Sequence, residues 1–516
     1  MADRQVGMFD AAELCGQVIP EDSFYALLAE HGQRIVSDAD FADCYSEGRG
    51  RPSIPPSLLA KVLLLAYREG ASDERAIDCL RFDLRWKVAL SLPVDHPGFH
   101  PTTLVKFRAR LLLHGKERLA LERTVELATE LGLMEGQTEQ IVDSTPMLGA
   151  AATQDTVRLV RSGVRKLIDA VAGEDTDGAG RLESGLDFDY ERPREKPDCD
   201  WRQKRAREGM LTEVALDAER ALRSVERAPE LREAQAVKEA YALLRELIGQ
   251  DFDVSDDGIP RLHRGTREGR ILSVHDPEMR HGRKSSSQRF DGYKLHASAT
   301  SAAQPIVTAV DVQPACEQDG PQAKTLVDQQ SEAMRPQRLL GDTAYGGGDT
   351  RAELAERGVD VLAPVPETPA KEGRVPKGAF SIDLDTSTVT CPVGEVAQIT
   401  TARSGMRQAT FPAKVCRRCP LVARCTKSDG RRQIKLQPHE ELLQAGRAAL
   451  TDKKLREHLR RRRPLIERSL GLLAHRYRAR KSRYWGRRKA SLQAAWTAAI
   501  VNLHPLGAVL RAEKAT

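Results

Sequence analysis

The 516-residue chain is poor in aromatic side chains, 5%, although 40% of it is hydrophobic. It is also poor in unbroken apolar sequence. Its start, "MADRQVGMFDAAEL", has no apolar core of the kind a secretory leader needs, so no leader is expected. The stretch that best imitates a membrane span, residues 491–510, carries Gln493, Asn502, His504 and Pro505. It reads instead as a buried helix ending before Pro505. The glycine run after Tyr345 is not followed by Gly-Lys-Ser/Thr, which excludes a phosphate loop there. Cysteine is sparse outside one cluster. Cys15, Cys44, Cys79, Cys199 and Cys316 are scattered and suit reduced core thiols of a cytosolic protein rather than a disulfide framework. Acids all but vanish between Lys453 and Lys489, where sixteen Lys or Arg stand against Glu457 and Glu467.

The length suits two to four domains. Net charge is only +6, so the 453–489 run concentrates the excess. Tyr477, Tyr484 and Trp485 interleave it. Clustered cations neutralise phosphates and rings stack on bases, so the run suits a nucleic acid; a solvated face is the plain alternative. Arg463, Arg476, Arg478, Arg480, Lys481, Arg483, Arg487, Arg488 and Lys489 are its candidate DNA contacts.

Residues 1–135 read as helical. "PPSLLAKVLLLAYREGAS" (55–72) has helical apolar spacing with Pro56 in the first turn, residues 72–90 continue behind Ser72 or Asp73, and 100–115 run from a Thr to a Gly. With Arg68, Lys106, Arg108 and Arg110 exposed, this bundle suits DNA binding as well as plain packing. Residues 136–155 hold a first strand, "EQIVDSTPML"; 156–260 read as a helical insertion with a polar loop at 173–201. Residues 261–370 supply strands at 290–300 and 305–315, a helix at 320–334 and a strand in "RLLGDTAY". Residues 371–430 are Cys-rich and 431–516 basic and helical. The order of elements predicts a mixed α/β sheet.

Asp143 and Asp342 each close a short apolar strand, the edge where ligands collect in open α/β sheets. A carboxylate there is costly to desolvate unless a divalent cation offsets it. A third ligand is sought downstream. A basic helix starting at Pro464, with Ile466, Leu470, Leu473 and Tyr477 on its apolar face, carries Glu467; Gly471 and Ala474 on the same face leave room for a substrate backbone. The plain alternative is a surface Glu moderating local repulsion. Cys391, Cys416, Cys419 and Cys425, with one C-x2-C pair, have the makings of a structural zinc site in a small, strand-poor module; a disulfide and four buried thiols are the alternatives. Lys414, Arg417, Arg418 and Arg424 make that module basic.

Asp143 in "VDST", Asp342 in "LLGDTAYGG" and Glu467 in "RPLIERSLGLL" resemble the DDE triad of insertion-sequence transposases. "DPEMRHGRKSSSQRFDGYKLH", "KASLQAAWTAAIVNL" and "SDERAIDCLRFDLRWKVAL…TTLVKFR" resemble the same family, so the likeness covers nearly the whole chain. Relatives often carry a basic residue seven after the Glu; here it is Ala474, followed by His475 and Arg476. The resemblance implies an α/β ribonuclease-H-like core, a mixed sheet flanked by helices. It adds an all-α N-terminal DNA-binding domain, a helical insertion and a Cys-rich, zinc-knuckle-like insertion. It further implies two Mg²⁺ or Mn²⁺ ions held by Asp143, Asp342 and Glu467, cleavage by water at element ends, and attack of the freed 3′-hydroxyl on target DNA. Lys294 and His296, on a neighbouring strand, would touch the scissile phosphate. The implied partner is double-stranded DNA, terminal inverted repeats and target alike. A homodimer is expected because two ends are joined, in a cytoplasmic, nucleoid-associated setting. The alternatives are a catalytically silent, transposase-derived DNA-binding protein and a metal-dependent nuclease without strand transfer.

Overall fold

The computed structural model describes residues 10–45, 53–285, 287–367, 373–426 and 430–515. Most of the stretch read for a leader, residues 1–9, lies outside them. The Pro56–Glu69 helix has Pro56 in its first turn and stops at Gly70, whose φ of 66° supplies a left-handed C-cap. Ser72 caps the Asp73–Phe82 helix by accepting from the Arg75 N–H. The single helix expected over 72–90 is two, because Asp83 leaves helical geometry and its carboxylate caps Leu84–Ala89. Thr102–Leu113 and Leu119–Glu130 complete this part. Three of its four expected surface cations are engaged, Arg110 by lying over the Tyr45 ring at 4.5 Å. Arg108 is buried and forks onto Asp73 at 2.8 and 2.5 Å, and Arg68 lies over the Phe24 and Tyr25 rings. Lys106 and Arg110 are exposed.

Strand β1 (Glu139–Leu148) leads into helices Thr156–Ala172, Thr176–Ser184, Lys204–Glu226 and Gln235–Asp251, then a hairpin, β2 (Phe252–Val254) and β3 (Pro260–Leu262). This insertion packs its own core around Val160, Val164, Leu167, Val214 and Leu244. The 173–201 segment, expected as loop, contains the Thr176–Ser184 helix, because Ala179 and Leu182 reach that core. The rest of the segment is ordered by Asp217, which is buried and accepts from the Asp187 and Phe188 N–H groups and the Tyr190 hydroxyl.

The central sheet adds β4 (Arg280–Arg283), β5 (Arg289–Thr300), β6 (Val307–Pro314), β7 (Arg338–Leu340) and β8 (Asp360–Leu362). β5 runs antiparallel to β1, while β1, β7 and β8 are mutually parallel. β4 and β6 share the far edge of β5, β4 pairing its first residues and β6 the rest. The helix expected over 320–334 is shorter, Gln322–Asp328. It stops where Gln330 turns inward to donate to Gln140 at 3.0 Å, part of a buried network with Ser298 and Thr308 beneath β1. Alternation places Ile141, Asp143 and Ala297 on one face of the sheet and Val142, Ser144 and His296 on the other. The first face joins a large core shared with the N-terminal helices and the Arg487–Ala515 helix; the second packs on Gln322–Asp328 and Gly348–Ala355.

The Cys-rich segment is not strand-poor. It forms a five-stranded antiparallel sheet, β9 (Ser381–Asp383), β10 (Thr388–Thr390), β11 (Val396–Thr401), β12 (Arg407–Phe411) and β13 (Arg432–Lys435). Val389, Ala397, Ala409, Phe411 and Ile434, at alternating positions, share its small core. Of the five scattered cysteines only Cys44 and Cys79 are buried; Cys15 and Cys199 are half-buried and Cys316 is exposed.

The last helix, Arg487–Ala515, runs through Pro505 instead of ending before it. A proline inside a helix removes one hydrogen bond, and burial of Leu503, Leu506 and Leu510 on both sides holds the two parts in line. Every polar group noted in this segment has a partner. Asn502 exchanges hydrogen bonds with the backbone of Val307 at 2.7 and 2.9 Å, completing the start of β6. Gln493 bonds the Arg483 N–H and the Lys481 carbonyl, and His504 the Tyr477 hydroxyl.

Candidate active site

The parallel pairing of β1 with β7 ends at Ile141 opposite Leu340. Asp143 and Asp342 each stand two residues beyond that last rung, so they occupy matching positions where the strands part. The expectation that Asp143 ends its strand is corrected: β1 continues along β5 to Leu148, and only its β7 side is free from Asp143 onward. Asp342 follows its strand and accepts from the Ala344 N–H at 2.9 Å, fixing the turn below the glycines.

Glu467 rides on the Pro464–Gly471 helix, which packs on β1 and β5 over the Asp143 face. Pro464 starts it without loss, since a first-turn N–H has no helical partner. Asp143, Asp342, Glu467, Gly471 and Ala474 line a single open cleft, so the three acids are brought together and the small residues lie beside them. The Asp143 side chain is 17% exposed and that of Glu467 58%. Burial, then the like charge of Asp342 and Glu467, pushes the Asp143 carboxyl up to about 6, against the Ser144 N–H and Arg463, which favour the carboxylate. Arg463 lies 3.8 Å from Asp143 and 3.7 Å from Glu467, spanning the two.

A fourth acid in the cleft escaped the sequence reading. Asp319, in the turn after β6, accepts from Lys294 Nζ at 2.5 Å and from the Ser144 hydroxyl at 2.7 Å. Both its oxygens are engaged by these two donors. Its turn, "CEQDGPQ", looks like any solvated loop, so no sequence signal marked it. Lys294 lines the cleft, also donating to the Glu317 carbonyl. His296 does not reach the cleft surface. It is fully buried, bonded through Nδ1 to the Tyr345 hydroxyl at 3.0 Å, and burial depresses its pKa to about 4, so it is a neutral part of the floor.

The basic run divides into two groups. Arg476, Arg478, Arg480, Lys481 and Lys489 are exposed. Arg483, Arg487 and Arg488 instead fasten the segment to the body. Arg483 donates to the Ala71 carbonyl, Arg487 to the Val312 carbonyl and Asp311, and Arg488 to the Leu112 carbonyl and Glu117. Of the rings, Tyr477 is buried, Tyr484 shares a hydrogen bond with Tyr67, and Trp485 is 51% exposed, stacked on His275.

Cys391, Cys416, Cys419 and Cys425 are free thiols around one small cavity walled by Phe380 and Phe411. Among the described residues no three of their sulfurs lie within 4.8 Å of one another. The group that meets that distance is Asp43, Cys44 and His114, but the Lys116 ammonium already sits 2.8 Å from Asp43.

Comparison with known families gives two matches. A family described as "Transposase domain (DUF772)" matches residues 13–110, and one described as "Transposase DDE domain" matches 390–506. Both matches are to transposase families. Together they support an insertion-sequence DDE transposase. The second match contains Glu467 and the four clustered cysteines, whereas Asp143 and Asp342 lie between the two matches. No curated protein and no solved structure matches. Among the described residues no helix is long and apolar enough to cross a membrane.

Proposed function

We propose that the chain cuts DNA at the ends of its element and joins the freed 3′-hydroxyl to target DNA, with Asp143, Asp342 and Glu467 as the metal-holding acids. The observation that carries this reading is the matching register of Asp143 and Asp342 beyond the last β1–β7 rung, with Glu467 on the helix above. Three antiparallel strands followed by two parallel ones, in the order β6, β5, β1, β7, β8, support a ribonuclease-H-like core.

The donor set fits hard divalent ions, because all three ligands are carboxylates and the buried one is short of positive charge. When bound, a pair of Mg²⁺ or Mn²⁺ ions would lower the pKa of an attacking water and stabilise the leaving oxygen. The chain's own residues do the rest. Asp143, on a strand paired through β5, gives the cluster a rigid base. Lys294, held by Asp319, presents its ammonium to a phosphate in the cleft. Gly471 and Ala474 leave the wall beside Glu467 low enough for a sugar-phosphate backbone. Arg476, Arg478, Arg480, Lys481 and Lys489 extend the positive surface for the duplex, and the N-terminal helices add Lys106 and Arg110. No side chain is needed as a covalent nucleophile. Joining two ends calls for a homodimer.

The four thiols fit structural Zn²⁺ by type and by convergence on one cavity; coordination would draw the sulfurs inward. The zinc would then fix the β9–β13 module at the cavity end of its sheet.

Cleavage of element-end DNA with Mg²⁺ by the wild type and by Asp143→Ala, Asp342→Ala and Glu467→Ala tests the assignment. Variants that bind DNA without cutting support the triad. A cutting Glu467→Ala variant would move the third ligand elsewhere, and a wild type that binds but never cuts would leave a silent DNA-binding protein.

A further inference from the structure

Arg463 is a half-buried cation in the one place where the proposed site needs a different one. It closes the helix Lys453–Arg462 just before Pro464, and its side chain turns into the cleft. An Arg four residues before a Glu on a helix is an ordinary surface pair worth a few tenths of a kcal/mol. This one differs in two ways. The same guanidinium also reaches Asp143 on β1, at 3.8 Å, so it spans the helix and the sheet. Its Nε is buried with no hydrogen-bond partner, so the fork is set by the two carboxylates at its tip and not by its stem.

We propose that Arg463 is the counter-ion of the site when both metal and DNA are absent, that a divalent ion binds only as this guanidinium withdraws, and that a DNA phosphate draws it out. This rests on the reading of Asp143 and Glu467 as metal ligands. The physical reason is competition. Two carboxylates that share one guanidinium must give it up before a divalent ion takes their oxygens, and a withdrawn guanidinium needs another anion. A phosphodiester in the cleft supplies one. DNA and metal then favour each other's binding, and the coupling is reciprocal. The device keeps the DNA-free protein from loading its metals and cutting at random.

The test is Mn²⁺ binding to the full chain, followed by electron paramagnetic resonance, with and without a generic DNA duplex at low ionic strength, after subtraction of Mn²⁺ held by the duplex alone. Without DNA, Arg463→Ala is expected to bind Mn²⁺ roughly tenfold tighter than wild type. DNA should tighten the wild type by a comparable factor and the variant by less than about threefold. Should the alanine variant not fold, Arg463→Lys, which keeps the charge but loses the fork, is expected to fall between the two. Equal or weaker Mn²⁺ binding by the variants, or an undiminished effect of DNA on them, overturns the proposal. Asp143→Ala separates the two layers. If it abolishes Mn²⁺ binding while Arg463→Ala matches wild type, the site stands and the gating falls. If it leaves Mn²⁺ binding unchanged, the site reading itself falls.

Discussion

Replacing Asp143 by Asn should stabilise the metal-free protein while ending its activity. The carboxyl is raised from 3.8 to about 6 by burial and by Asp342 and Glu467. Between those two values the native state holds more proton than the unfolded chain, so stability falls as pH rises through the window and stays lowered above it. A difference of about two pH units corresponds to about 3 kcal/mol. Asn keeps an acceptor for the Ser144 N–H, which lies 2.8 Å from the Asp143 Oδ1, but loses the contact with Arg463. A net gain of about 1–2 kcal/mol near pH 7.5 is therefore expected. The measurement is urea unfolding with chelator present, followed across pH. The gain should shrink as pH falls from about 6 to about 4 and vanish below about pH 3, where Asp143 is protonated in both states. With a DNA duplex present to draw Arg463 away, Mg²⁺ should then stabilise the wild type and not the variant, reversing their order. Destabilisation by Asn at neutral pH, or a gain that persists undiminished at pH 4, would refute the argument that this carboxylate is held charged at a cost.

Other outcomes follow from the contacts. Arg351 is buried and donates to the carbonyls of Gly346, Val361 and Ala363, so Arg351→Ala strands three acceptors below Asp342 and should cost about 3 kcal/mol or more, read by thermal melting. Lys489→Ala and Arg480→Ala should each lower the salt dependence of DNA binding by about one phosphate contact. Arg488→Ala should instead lower stability, because its charge is already committed to Glu117. Leu506→Ala, just past Pro505, should cost about 2–5 kcal/mol by circular dichroism melting if burial carries the helix across the proline. Cys416→Ser should lower zinc content in the purified protein by mass spectrometry and loosen the β9–β13 module towards proteases.

The strands bearing Asp143 and Asp342 were legible because each has a short apolar run, Ile141-Val142 and Leu339-Leu340, shortly before its acid, although β1 runs on past Asp143 to Leu148. The helix carrying Glu467 was legible through Pro464 and the apolar spacing around it. What stayed hidden was non-local. Asp319 acquires its role only when the turn after β6 folds against Lys294 and Ser144. Charge alone could not sort the basic run, since Arg483, Arg487 and Arg488 are distinguished from Arg480 and Lys489 only by carbonyls and acids distant in sequence. The β9–β13 sheet was missed because its strands are three to six residues long and interrupted by turns, too brief for a periodic signal. Pro505 misled because a local rule gave way to burial on both sides of it.

The packing of the Arg487–Ala515 helix against the N-terminal helices has a consequence in time. Trp496 meets Phe107 edge-on at 6.4 Å, and both are buried. Ribosomes deliver the second ring roughly four hundred residues after the first, a wait of about 20–80 s at ordinary elongation rates. Throughout it the apolar side of the early helices has no lid. Nascent chains should therefore be clients of holding chaperones. The proposed active site lacks its third acid until Glu467 and this helix have emerged, so a truncated product would carry only the first two acids.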